Sequence, residues 1–212
     1  MATPIGHALA GYAVSRWHAE KPISFALFKQ PFPDLLRTLV QPIFWTVYCV
    51  FMAAAPDLDL IPGILQGQPI LYHSGISHSF GFGIGISLLA AFVLQRFGWS
   101  FKRTFLVGLF AYSTHLLLDP LGPDGREPYG IPLLWPLTSQ TFLSPIPILP
   151  GVHHANSSSA SIAKVISGVL SLHNLMAIGI ELLLVGPFCF LRPFTKWTWT
   201  RVWTRDTSES NL

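Results

Sequence analysis

Residues 39–61 read LVQPIFWTVYCVFMAAAPDLDLI, an apolar run that carries no charge until Asp57 and Asp59 at its end. A helix needs roughly 20 consecutive apolar residues to cross about 30 Å of hydrocarbon, and this stretch is long enough. Pro56 interrupts the helical ladder immediately before the two carboxylates. Charge placed at the end of such a segment is costly unless a positive partner compensates it. A bound divalent cation is the simplest such partner, so the stretch predicts both a membrane span and one side of a metal site.

The rest of the chain agrees with a membrane protein. Only 11% of its 212 residues are charged and 50% are hydrophobic, whereas soluble domains carry about 25% charged residues. The formal net charge of +3 is spread over segments flanking apolar runs. No basic stripe interleaved with aromatics marks a nucleic-acid surface, and nucleic acid is excluded as a partner. Cys49 and Cys189 both lie within apolar runs and read as small buried hydrophobes. No zinc-finger cysteine spacing occurs, so a metal here would be held by nitrogen and oxygen. The N-terminus lacks the pattern of a removable signal peptide.

Four further segments are candidate membrane helices: residues 4–20, 80–97, 104–121 and 165–191. The first has the shortest apolar run, with Thr3 as N-cap and Pro4 at the first helical position. The expected fold is an all-α, polytopic membrane helix bundle of about five spans, or four if the first segment does not cross. Residues 1–193 form one membrane-embedded domain, followed by a basic, Trp-rich tail over 194–212. Small residues in the first and third segments (Gly6, Ala10, Gly11, Gly81, Gly83, Gly85) would let helices approach closely. Basic residues gather between the first and second segments, between the third and fourth, and after the fifth. The stretch 62–79 has no Lys or Arg. The positive-inside rule then places the basic connections and the C-terminus in the cytoplasm, and the N-terminus outside.

With that orientation four polar motifs meet at the outer membrane surface: His7, then Asp57 and Asp59, then His73 and His78, then His115 and Asp119. His115 and Asp119 are four apart on a helix and share one face. Both can reach one ion, or the carboxylate can orient the imidazole. Asp57 and Asp59 would diverge on a regular helix but converge in an irregular turn, and side by side they repel unless cations separate them. The spacing of His73 and His78 suits a loop leading into a helix. Seven donors are too many for one tetrahedral zinc, which takes four, and fit two ions with an Asp between them better. The histidines favour zinc, and the carboxylates admit manganese or iron.

Gly6-His7, Pro56-Asp57-Leu58-Asp59, His73-Ser74-Gly75-Ile76-Ser77-His78-Ser79, His115-Leu116-Leu117-Leu118-Asp119 and Leu134-Trp135-Pro136 together resemble the YdjM-like family of predicted inner-membrane metal-dependent hydrolases. The resemblance covers roughly residues 4–137. The family more often has a basic residue where Ser74 stands and a Thr where Ser77 stands. The likeness implies an integral inner- or plasma-membrane protein and a metal-dependent hydrolase. His7, Asp57, Asp59, His73, His78, His115 and Asp119 are its candidate ligands. Asp57, Asp59 and Asp119 are its candidate catalytic residues, one of them serving as general base if it is not a ligand. A more distant similarity, of ligand style alone, is to the all-helical zinc-dependent phospholipase C group. Position at the interface suggests membrane lipid as partner and a phosphoester or lipid-derived substrate. Protein partners are not legible. The alternative is a non-catalytic metal-binding membrane protein or a transporter component.

The proline-rich stretch 122–151 begins beside Asp119 and could roof the site, with Arg126 positioned to meet an anionic substrate. His153 and His154 read as surface histidines. Asn174 and Glu181, seven apart, share a helix face, and Glu181 is either functional or hydrogen-bonded to Asn174. The tail aromatics Phe194, Trp197, Trp199 and Trp203 read as an interfacial belt.

Overall fold

The computed structural model describes residues 1–18, 32–125, 127–153 and 162–191. Arg126, His154 and the tail over 194–212 lie outside the described residues. The described residues are helical: α1 (Pro4–His18), α2 (Phe32–Ala54), α3 (Leu60–Leu65), α4 (Phe80–Gln95), α5 (Phe101–Leu118), α6 (Ile162–Val169) and α7 (Leu172–Val185). They include no β-strand, only an isolated bridge between Ile131 and Phe142.

Serines start three of these helices. The hydroxyls of Ser79, Ser100 and Ser171 accept from the backbone N–H groups of Phe82, Arg103 and Asn174, satisfying donors that a helix start leaves open. Prolines stop two. Pro56 lies in the 3-10 turn Ala55–Asp59 that follows α2, and Pro120 in the turn Asp119–Leu121 that follows α5. The expected fifth segment divides in two. Ser171 restarts the chain as α7 after α6 has ended, so residues 165–191 are not one continuous helix.

Among the described residues, three stretches are long and apolar enough to cross a membrane: Val40–Leu65, Phe101–Leu121 and Leu172–Cys189, with α4 apolar but shorter. At about 1.5 Å per residue, the 15 residues of α1 extend only about 22 Å. Its place in the bundle compensates, because α1 packs chiefly on α2 and also touches α5 and α7. A Cβ on Gly11 would stand 2.6 Å from the carbonyl of Cys49, so glycine is what allows α1 and α2 to meet. Gly85 has no such neighbour, and its expected packing role is not realised.

The core between α1, α2, α4 and α5 is built from Val14, Trp45, Tyr48, Met52, Tyr112 and Leu116, with Ile131 reaching in from the long loop. The outward faces remain apolar, as at Val47 on α2, Leu89 on α4 and Leu183 on α7, all exposed. A bundle that is apolar outside and carries its polar groups inside suits lipid as the surrounding solvent. The segment Leu133–Trp135 docks on the start of α4. The carbonyls of Leu133 and Trp135 accept from Phe80 and Gly81, and a side chain on Gly81 would collide with the Trp135 carbonyl.

Candidate metal centre

The breaks at Pro56 and Pro120 bring the polar motifs together at one end of the bundle. Asp57 and Asp59 lie in the turn after α2, His73 and His78 in the loop before α4, and Asp119 at the end of α5. His7 comes from the first turns of α1 and His115 from the last turn of α5. All seven candidate ligands join one continuous network.

Its centre is a set of four donor atoms. His115 Nε2 lies 3.2 Å from Asp119 Oδ2 and 3.6 Å from Asp57 Oδ1. His78 Nε2 lies 3.4 Å from Asp119 Oδ2 and 3.6 Å from Asp57 Oδ1. His78 Nε2, His115 Nε2 and Asp119 Oδ2 are buried and find no hydrogen-bond partner. Three orphaned polar atoms in one buried spot would cost several kcal/mol as they stand. A tetrahedral ion bound at 2.0–2.2 Å spaces its donors about 3.3–3.6 Å apart, and the observed separations run from 3.2 to 3.6 Å, close to that edge.

The surrounding contacts fix how these donors point. His115 Nδ1 donates to the carbonyl of Ala53 at 2.7 Å; a carbonyl can only accept, so Nε2 is left with its lone pair. His78 Nδ1 faces Asp59 Oδ2 at 3.2 Å, and the Ser77 hydroxyl donates to the same oxygen at 2.7 Å. Asp59 Oδ1 lies 3.0 Å from His73 Nδ1, so one carboxylate braces two histidines. Asp119 Oδ1 accepts from the Ala2 N–H at 3.2 Å and meets His7 Nε2 at 3.1 Å, which aims Oδ2 at the centre. The His7 ring stacks on His115 with centroids 3.5 Å apart. Burial disfavours a charged His78, but without an ion its interactions with Asp57 and Asp59 and the charge of Asp119 outweigh this and raise its pKa to about 10, so an ion binding at Nε2 would have to displace a proton.

Among the described residues two groupings could hold ions: His7, His115 and Asp119, and Asp57, His73 and His78, with donor atoms within 4.8 Å of one another in each. The first is closed off, whereas Asp57 retains 21% exposure and His73 10%. The centre therefore opens on its Asp57 side.

Several roles were not visible in the motifs. Ser77 holds Asp59, and Tyr112, one turn before His115 on α5, donates its hydroxyl to the Ser77 carbonyl. The spacing of Tyr112 and His115 could have shown that they share a face. Ser74 takes a left-handed φ of 67°, which turns the chain between His73 and Gly75. The sequence pairing of Asn174 with Glu181 is corrected. Asn174 grips the His153 backbone through both amide atoms, at 2.7 and 2.8 Å, while Glu181 turns to Thr3, whose N–H it accepts at 2.7 Å. His153 stacks on His173 and is exposed, away from the centre.

Fold and site together define a helical membrane protein with a buried histidine–carboxylate cluster at one end of its bundle. A family model described as YdjM inner membrane protein matches residues 1–187, and the chain belongs to that family. The match runs through α7, beyond the motifs over residues 4–137. No curated protein and no solved structure matches the chain.

Proposed function

We propose that the protein is a membrane-bound, metal-dependent hydrolase acting on phosphoester or lipid-derived substrates at the extracytoplasmic surface. One observation carries this reading: the buried, unpartnered Nε2 atoms of His78 and His115 each lie 3.2–3.6 Å from both Asp57 Oδ1 and the buried, unpartnered Asp119 Oδ2, close to the donor spacing of a tetrahedral ion. Asp57, His78, His115 and Asp119 would hold one ion, zinc best by donor type. Asp57 and His73 would hold a second on the open side. Such ions supply an activated water and polarise the oxygens of a scissile ester.

The chain's own groups would do the rest. Asp59 keeps His73 and His78 in the tautomer that presents a lone pair, and Ser77 keeps Asp59 in place. His7 orients Asp119 in the same way. Asp57, at 21% the most exposed of the three site carboxylates, stands where an entering water would pass. An apolar groove of ≈ 190 Å³ is lined by Thr114 and Leu118, the chain neighbours of His115 and Asp119, together with Ala10, Trp17 and Phe188. Its lining supports a substrate with an acyl chain.

The test is metal content by elemental mass spectrometry on detergent-purified wild type beside the His115→Ala/Asp119→Ala variant, followed by hydrolysis assays on phosphoesters and phospholipids. Bound metal in the wild type, lowered in the variant with hydrolysis lost, supports the reading. A wild type that stays metal-free after reconstitution with zinc and manganese would sink it.

A further inference from the structure

Residues 128–152 contain no Asp, Glu, Lys or Arg, although they make up most of the ordered connection that follows α5. A connection that runs through water is ordinarily polar. Here Leu137, Ile146 and Ile148 are 89%, 72% and 59% exposed. Large apolar side chains displayed in this way mark a surface that meets a protein or a membrane. The backbone beneath them is prepared for a medium poor in water, where an open N–H or C=O is costly. Six prolines between 128 and 150 remove donors outright. Ile131 and Phe142 exchange N–H···O bonds, and the N–H groups of Trp135 and Leu137 close short turns on the carbonyls of Pro132 and Leu134. Ser144 donates to the Pro120 carbonyl, and Ile148 and Leu149 donate to that of Leu121, which ties the returning arm to the end of α5.

The length of α4 gives an independent reason to choose lipid. Its 16 residues extend about 24 Å, short of the roughly 30 Å of a hydrocarbon core. A span that is too short is accommodated by what flanks it. The first turn of α4 is the place where the loop docks, through Phe80 and Gly81. Docking there sets Leu134 and Leu137, both exposed, beside the end of a helix whose own outward face is apolar at Phe82 and Leu89. The other arm lies against the end of α5, where Leu117 is exposed.

We propose that the loop over 128–149 is a membrane-interface element, with Leu137, Ile146 and Ile148 inserted among the acyl chains of the leaflet at the metal-centre end. By the charge rule that leaflet is the outer one. Its lipid is continuous with the lipid around the apolar faces of α4 and α5. A docked protein would call for a polar rim, and 128–152 offers no charge to build one. Because Ser144 is bonded to Pro120, the chain neighbour of Asp119, insertion would also hold the metal centre at the depth of the headgroups. The proposal is independent of the hydrolase reading, since none of the inserted residues is a candidate ligand.

The experiment is fluorescence quenching on the full-length protein, with Cys49→Ala and Cys189→Ala as background, in vesicles of phosphatidylethanolamine and phosphatidylglycerol. An environment-sensitive fluorophore is attached in turn at Leu137→Cys, Ile146→Cys and Ile148→Cys. Glu127→Cys, exposed in the charged turn just before the loop, is the control in water. One quencher is a phospholipid with a nitroxide near the ester end of its acyl chain, and the other is iodide on both sides of the membrane. Labels at the three apolar positions should lose iodide quenching and gain quenching by the nitroxide lipid, with the reverse at position 127. Quenching by iodide alone would place the loop in water. Protection from both quenchers would assign the face to a second copy of the chain or to another protein. Either result overturns the proposal. The three positions are read separately, so a variant that fails to elute as the parent protein does leaves the others to decide.

Discussion

Asp119 and Glu181 are both buried carboxylates, 2% and 1% exposed, and both lie against the start of α1. They are held in opposite ways. Each Glu181 oxygen has its donor: Oε1 takes the Thr3 N–H and Oε2 the Thr3 hydroxyl. Glu181 thereby caps α1 from another helix, where a negative charge suits the partial positive charge of the helix start. Asp119 is satisfied on one oxygen only, and the other is turned toward His78 and His115 with no hydrogen bond of its own. A membrane-buried acid is thus diagnosed less by its burial than by whether every oxygen is accounted for.

The comparison can be broken experimentally. Its largest consequence is that His115→Ala/Asp119→Ala should remove the buried ion, read as a fall in metal per chain by elemental analysis. Glu181→Ala should cost about 3 kcal/mol of stability, because two buried Thr3 donors lose their acceptor. It should leave metal per folded chain unchanged, and metal loss there would erase the distinction between the two acids. Asp59→Asn, which weakens the brace on His73 and His78, should reduce zinc affinity about 10–100-fold in competition with a chelator. Ser77→Ala removes one hydrogen bond to Asp59 and should cost about 1 kcal/mol, seen as a small drop in thermal midpoint with the metal retained. A fall as large as that of Asp59→Asn would make Ser77 more than a brace.

Much of this was legible from residue order. Apolar runs broken by Pro56 and Pro120 marked where helices end, and the carboxylates beside those prolines marked where polar groups meet. Ser77, standing where the family more often has Thr, still offers the hydroxyl that Asp59 uses. What could not be read depends on partners distant in sequence. The Ala53 carbonyl that fixes the His115 tautomer is a backbone group with no signature. Glu181 meets Thr3 across 178 residues, whereas Asn174 lies on the same helix and was the only partner that periodicity could suggest. The division of the fifth segment turned on Ser171, a polar cap within a run whose hydropathy hardly changes.

The four central donors come from positions 57, 78, 115 and 119, on three separate stretches of chain. No fragment ending before α5 holds more than two of them. An ion that needs all four could be captured only after the fourth apolar segment had been threaded into the bilayer. Metal occupancy would then record completed assembly: a half-inserted chain would remain empty, and a chelator applied during synthesis should trap more protein than one applied afterwards.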